Sequence, residues 1–227
     1  MSELEFENQD GDTPSSELPQ NSGIVYENQE AVWDRIAPEW HEFKQIPSVG
    51  SAEFVKNAKG NLLDLGSGSG RHLQKIDGTY YLQDISSEML RLAEEKAEKM
   101  GIKYETIHSP MDVIPKEDEF FDYAICISAL HCVPGEGSRK KAISELYRVL
   151  KKGGLAYIGV WNEASKRFVR KTRKGKKEHL IGWQDKGERY YYLYSEDEIH
   201  SQFRKAGFEI VSVHNSEMMI NFIARRP

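Results

Sequence analysis

Residues 61–73 read NLLDLGSGSGRHL. An apolar run ends on Asp64, and Gly66, Gly68 and Gly70 then alternate with Ser67 and Ser69. Glycines so placed let backbone pass close to a ligand, because they lack a Cβ and accept positive φ. A phosphate-binding P-loop closes on Gly-Lys-Ser/Thr, whereas Arg71-His72 stands here. A dinucleotide fingerprint, Gly-x-Gly-x-x-Gly/Ala, needs a small residue where Arg71 lies. The next apolar run, TYYLQD, ends on Asp84. A carboxylate there suits both hydroxyls of a ribose, or a helix N-terminus that follows it. AICIS ends on Ser128, and His131 follows, at a strand's C-terminal end, where open α/β sheets bind ligands. The pattern contains no Ser–His–Asp or Cys–His set.

The elements that must position these groups alternate. NLLDL, TYYLQD, KYETIH, FDYAICIS and LAYIGVW read as strands. Between them the pattern predicts a helix at 70–76, one over SSEMLRLAEEKAEKM from a Ser cap to Gly101, and one over SRKKAISELYRVL ended by KKGG. IVYENQEAVWDRIAPEWHEF suits a helix broken at Pro38, and SAEFVKNA a short one. After an irregular section, Ser195 and Glu198 form a capping box, and FEIVSVHN and NFIARR read as two final strands. The connection between those two is too short for a crossover helix, so they pair antiparallel. The expected fold is α/β: a seven-stranded, mostly parallel sheet with helices on both faces and an antiparallel last strand.

Charge is uneven. Residues 1–23 carry six acidic side chains and no Lys or Arg, which suggests a disordered acidic tail before a domain over 24–227. The whole chain is −5, leaving about +1 for that domain. Eight of the thirteen residues from Ser165 to Lys177 are basic, including Lys166, Arg167, Arg170, Lys171, Arg173 and Lys174. Such a basic insert, at about 163–188, suits phosphate groups, although a solvated loop would look the same. Two cysteines, Cys126 and Cys132, supply neither a disulfide framework nor a four-ligand zinc site. With no apolar run of membrane-spanning length and no signal pattern, the expected compartment is the cytoplasm and no metal is expected.

LDLGSGSGR resembles motif I of the class I S-adenosylmethionine (SAM) methyltransferases. The resemblance implies SAM as cofactor. Asp64 would attract its ammonium, Gly66, Ser67, Gly68 and Gly70 would pass its methionine part, Asp84 would hold its ribose and Ile85 its adenine face. In the loop HSPMDVIP, the position usually acidic is Pro110, so Asp112 or backbone near Met111 would read the adenine amino group. Ser128 and His131 would line the methionine and acceptor side.

A narrower likeness lies further along. RYYYLYSEDEI, preceded by HLIGW, resembles the signature of the tRNA wobble-uridine (5-carboxymethyluridine) methyltransferases, as do IAPEW and AICISALH. It spans roughly residues 24–226. The family's His pair is His131-Cys132 here, and Lys44 stands where Arg is expected. The resemblance implies methyl transfer to the carboxylate of 5-carboxymethyluridine in tRNA. An ionised carboxylate needs no general base, so Arg189, Lys44 and His131 would position substrate. Tyr190, Tyr192 and Trp161 would stack the base. It also implies a small zinc-binding activator protein as partner, which would hold any zinc. The rival readings are a methyltransferase of a small molecule or of another RNA or protein acceptor, and a catalytically silent RNA-binding scaffold; intact Asp64, Gly66, Gly68 and Asp84 argue against the scaffold.

Overall fold

A computed structural model describes residues 24–43, 45–166 and 176–227. The acidic tail, Lys44, and Arg167, Arg170, Lys171, Arg173 and Lys174 lie outside the described residues. In chain order the elements are α1 (Gln29–Phe43), α2 (Val49–Lys56), β1 (Lys59–Leu65), β2 (Asp77–Asp84), α3 (Ser87–Met100), β3 (Tyr104–His108) and β4 (Phe121–Ile127). They continue as α4 (Glu136–Val149), β5 (Leu150–Trp161), β6 (Glu178–Gly182), β7 (Glu188–Tyr192), α5 (Glu196–Lys205), β8 (Glu209–Val213) and β9 (Met219–Arg225).

Seven strands form one sheet in the order β3-β2-β1-β4-β5-β9-β8. β1 to β5 are parallel, and β9 runs antiparallel to both β5 and β8. This is the expected fold. Strand alternation sends Leu63 and Leu65 to the face covered by Ala142, Ile143, Leu146 and Phe203 of α4 and α5. Leu62 and Leu82 go to the face covered by Val55, Leu90, Ala93 and Ala97 of α2 and α3. Both faces are dry, as parallel strands require. Local signals set the helix ends: Ser86 caps α3, Gly101 closes it at φ 62°, and Ser195 caps α5. Among the described residues, no helix is long and apolar enough to cross a membrane.

Three local expectations need correction. No helix forms at 70–76. There the Tyr80 hydroxyl donates to the His72 carbonyl and accepts from the Gln74 amide, each at 3.2 Å, and the Gln74 side chain bonds the Ala52 carbonyl at 2.7 Å. Those partners satisfy a stretch too short to nucleate a helix by itself. α1 runs through Pro38 without a break. Ile36 and Ala37 are fully buried beside it, and that packing offsets the roughly 3 kcal/mol a mid-helix proline costs. The section read as irregular contains the antiparallel hairpin β6–β7, a separate two-stranded sheet. Gln29 of α1 accepts from the Tyr190 amide at 2.8 Å and donates to the Glu188 carbonyl at 3.2 Å. Trp183 on the hairpin donates to Glu39 at 2.7 Å. Helix α1 and the hairpin are thereby joined to each other.

Candidate active site

The loops after β1, β2, β3 and β4 meet α1 around a cavity of about 620 Å³. Gly66, Ser67, Gly68, Asp84, Ile85, Met111, Asp112 and Ser128 all line it. The amides of Gly66 and Ser67 both donate to the Gln83 carbonyl, at 2.8 and 2.9 Å, which folds the glycine turn back on β2. Gly66 has φ +76°, and a Cβ there would lie 2.3 Å from that of Ala129, so this position has room only for glycine. Gly70 plays another part. It lies outside the lining, and its Cβ would lie 2.6 Å from Leu73 Cδ1 and 3.3 Å from Ala93 of α3. Its smallness serves packing.

Asp84 serves the loop and the helix together. Its Oδ2 accepts from the Gly68 amide at 2.8 Å and its Oδ1 from the Ser86 amide at 2.9 Å. Burial raises its pKa, and these backbone donors oppose the rise. Asp34 of α1 accepts from the Ser86 hydroxyl at 2.6 Å and the Glu88 amide at 3.1 Å, fastening α1 to the start of α3. The third loop is held from below by Gln83, whose side chain donates to the Pro110 and Val113 carbonyls, each at 3.0 Å. Ser128 holds φ 60°, a left-handed conformation unusual for a residue with a Cβ. Such outliers gather where surrounding structure over-determines them, as at sites.

A second cavity, of about 890 Å³, lies beside the first. The two share Trp40, Arg71, His72, Ile127 and Ser128 as wall residues. Arg189 lines the second alone and is 5% exposed. Its guanidinium carbon sits 4.9 Å from the Trp183 ring, 5.2 Å from Tyr191, 5.3 Å from Trp40 and 5.9 Å from Trp33. Its Nε is buried without a hydrogen-bond partner, and no carboxylate of a described residue pairs with it. Trp161, the remaining one of the chain's four tryptophans, stacks on Tyr191 at 4.1 Å and 12°. The aromatic residues expected at the site were Trp161, Tyr190 and Tyr192, and nothing local brought Trp33, Trp40, Trp183 or Arg71 there.

The β-strand period sorts the signature block. Arg189 lines the cavity with Tyr191 packed between its guanidinium and Trp161, whereas Tyr190 and Tyr192 meet Arg139 of α4. Tyr190 is fully buried, accepts from Arg139 at 2.9 Å and donates to Glu178 at 2.5 Å. Tyr192 lies under the Arg139 guanidinium and donates to Glu198 at 2.6 Å. Neither lines either of these two cavities, so base stacking by these two is not what the site provides. His131 also lies elsewhere than expected. It is fully buried, stacked on Trp161 at 5.0 Å, and accepts from the Trp161 amide at 3.2 Å. Burial lowers its pKa to about 3, so it supports the cavity floor as a neutral ring. Of the basic insert, Lys166 is exposed, and Lys177 pairs with Glu163 and Glu198.

The sequence profile of the methyltransferase-domain family matches residues 63–158, which hold the glycine loop, Asp84 and Ser128. The chain carries a methyltransferase domain in the class I SAM-methyltransferase fold. It is 34% identical over 135 residues to a tRNA (carboxymethyluridine(34)-5-O)-methyltransferase of Arabidopsis thaliana, covering 57% of this chain and 31% of that protein. The Schizosaccharomyces pombe protein of the same name is 26% identical over 218 residues, covering 83% of this chain and 92% of its own. A Haloferax volcanii methyltransferase, solved with the Trm112 methyltransferase activator, matches the fold with a TM-score of 0.67 at 17% identity, over 88% of this chain and 98% of that one.

The methyltransferase has residues that fit SAM. The Gly66 cradle, the ribose-compatible Asp84 and a buried acid, Asp64, meet its chemistry. Asp64, at the end of β1, is 1% exposed and lines neither cavity; its Oδ2 lacks a hydrogen bond and lies 4.0 Å from Nδ1 of His72, which lines both. Burial pushes its pKa up to about 7, with Arg71 opposing and Asp84 adding to the rise. The folded apo-enzyme therefore keeps a proton that the unfolded chain loses from about 4 upward, so this group lowers stability as pH climbs toward 7. His72 acts in the opposite sense below pH 6.5, because burial holds its folded pKa down to about 3.

Ligand binding separates the two. An ammonium near Asp64 favours its ionised form, so the methyltransferase should expel a proton on binding below pH 7. Affinity for S-adenosylhomocysteine (SAH) should strengthen between pH 5 and 7, by up to about tenfold per unit, and level off above. Calorimetry in buffers of different ionisation enthalpy reads the released proton. Its persistence in Asp64→Asn would assign the effect to another group.

Proposed function

We propose that this methyltransferase esterifies the carboxylate of 5-carboxymethyluridine at the wobble position of tRNA. The observation that carries the reading is Arg189: a buried guanidinium among four aromatic rings, unpaired with any described carboxylate, on the wall of a cavity that adjoins the cofactor's. A desolvated cation so placed suits an anionic group brought by the acceptor. The aromatic faces stabilise the cation, by about 0.5–2 kcal/mol each, without neutralising it.

SAM, when bound, supplies a methyl group on a sulfonium whose leaving group is a neutral thioether. The chain's task is then alignment and exclusion of water. Arg189 cannot give up its proton near neutral pH, so a carboxylate held there stays ionised and nucleophilic. One carboxylate oxygen can face the fork while the other faces the shared wall at Ile127 and Ser128. Trp161 and Trp183, which line the same cavity, offer rings to a uracil. The basic residues between 166 and 177 would meet the anticodon's phosphates. A small zinc-binding activator is the proposed partner, beside a sheet whose outer strands are β3 and β8. The names of the two tRNA-methyltransferase relatives and the Trm112 complex support substrate and partner.

The test is transfer from tritiated SAM to tRNA bearing 5-carboxymethyluridine, with and without the activator, followed by nucleoside mass spectrometry. The expected product is the methyl ester, formed in the presence of the activator and suppressed by salt. SAH binding without transfer to any tRNA would overturn the tRNA reading and leave a small carboxylic acid as the acceptor to try.

A further inference from the structure

SAM brings a carboxylate of its own, and that group needs a counter-ion in a largely dehydrated cavity. The described walls of the cofactor cavity are mainly acidic where they are charged: Glu27, Glu30, Asp84 and Asp112. Arg71 is the single Lys or Arg among them. It follows Gly70 directly, so its backbone is set by the glycine turn, and it lines the acceptor cavity as well. No carboxylate of a described residue lies within ion-pair distance of its guanidinium. Its charged neighbours are Asp64, which favours the cation, and Lys96, which does not. Burial lowers its pKa, as expected of a cation that lacks a close anion.

Two arginines that pair with no described carboxylate thus flank one junction, and a reaction of this kind brings two carboxylates to it. We propose that Arg71 is the counter-ion of the cofactor's methionine carboxylate and that Arg189, which lines only the acceptor cavity, is kept for the acceptor. The first half rests on SAM binding alone; the second rests on the carboxylate-acceptor reading above. Sorting the anions between two cations has a chemical consequence. One arginine shared by both carboxylates would let the cofactor's compete with the nucleophile for the same fork, whereas two hold each in its own cavity. The arrangement also orients the cofactor, since its ribose meets Asp84 and its opposite end meets Arg71.

The experiment uses two ligands that differ by that carboxylate alone: SAH and its decarboxylated form, S-adenosyl-3-thiopropylamine. Calorimetric titration of the full chain with each ligand is compared across wild type, Arg71→Met, Arg71→Lys, Arg71→Gln and Arg189→Met. Arg71→Met and Arg71→Gln should weaken SAH by about 20-fold or more and shift the decarboxylated ligand by less than about threefold, with Arg71→Lys between. Arg189→Met should leave both ligands bound as in wild type. Equal loss of the two ligands in Arg71→Gln would mean that Arg71 only shapes the loop, and an unchanged SAH affinity would hand it to the acceptor; either result overturns the assignment. Neither ligand carries an acceptor, so this outcome is independent of which acceptor the enzyme uses.

Discussion

Arg189→Met should lower kcat/KM for ester formation by about 10²–10³-fold while SAH binds with unchanged affinity. The magnitude follows from the loss of a desolvated, charge-assisted contact, worth roughly 2–5 kcal/mol. Methionine is the appropriate replacement because it keeps most of the volume inside the ring of Trp33, Trp40, Trp183 and Tyr191. Arg189→Lys should recover only part of the loss. Its ammonium is a point charge that is strongly hydrated, and it lacks the planar fork that matches both oxygens. The deficit should appear mainly in KM for the acceptor if Arg189 binds it equally in ground and transition states, and in kcat if it acts by alignment. An Arg189→Met enzyme that esterifies at the wild-type rate would remove Arg189 from the site's chemistry.

Asp84→Ala should weaken SAH by about 10²-fold or more and also lower thermal stability by about 1–3 kcal/mol. Two functions are lost together. The Gly68 and Ser86 amides lose their acceptors, at 2.8 and 2.9 Å, and the ribose hydroxyls lose theirs. Asp84→Asn separates them, since one carbonyl oxygen can still take one backbone donor while its amide nitrogen repels the other. It should retain more stability than Asp84→Ala and nearly as little SAH affinity. Isothermal titration and chemical denaturation read the two quantities separately. A loss of stability with full SAH affinity would reduce Asp84 to a loop clasp.

The sequence carried the sheet, its helices and the cofactor end of the site, because those are local matters. A strand end, a glycine turn and an acid on the next strand are set by residues close in sequence, and parallel strand order brings their loops together. Ser86, Gly101 and Ser195 announced helix ends by capping chemistry for the same reason. Even here, long-range bonds decided details: the Tyr80 hydroxyl displaced a helix at 70–76, and the neighbours of Pro38 kept α1 whole.

The acceptor side required the tertiary structure. Gln29 and Tyr190 meet across 161 residues of chain, and no spacing rule links them. That contact joins α1 to the β6–β7 hairpin and makes one cage from tryptophans on both. Strand alternation in RYYYLY divides the side chains into two sets, but only packing says which set faces the cavity. It put Arg189 on the cavity wall with Tyr191 packed against it, and turned Tyr190 and Tyr192 toward Arg139. Arg71 excluded two loop families when read in sequence; in space it is the lone cation of the cofactor cavity's described wall. A residue's type and neighbours fix its chemistry, whereas the charge it must answer depends on contacts that only the folded chain creates.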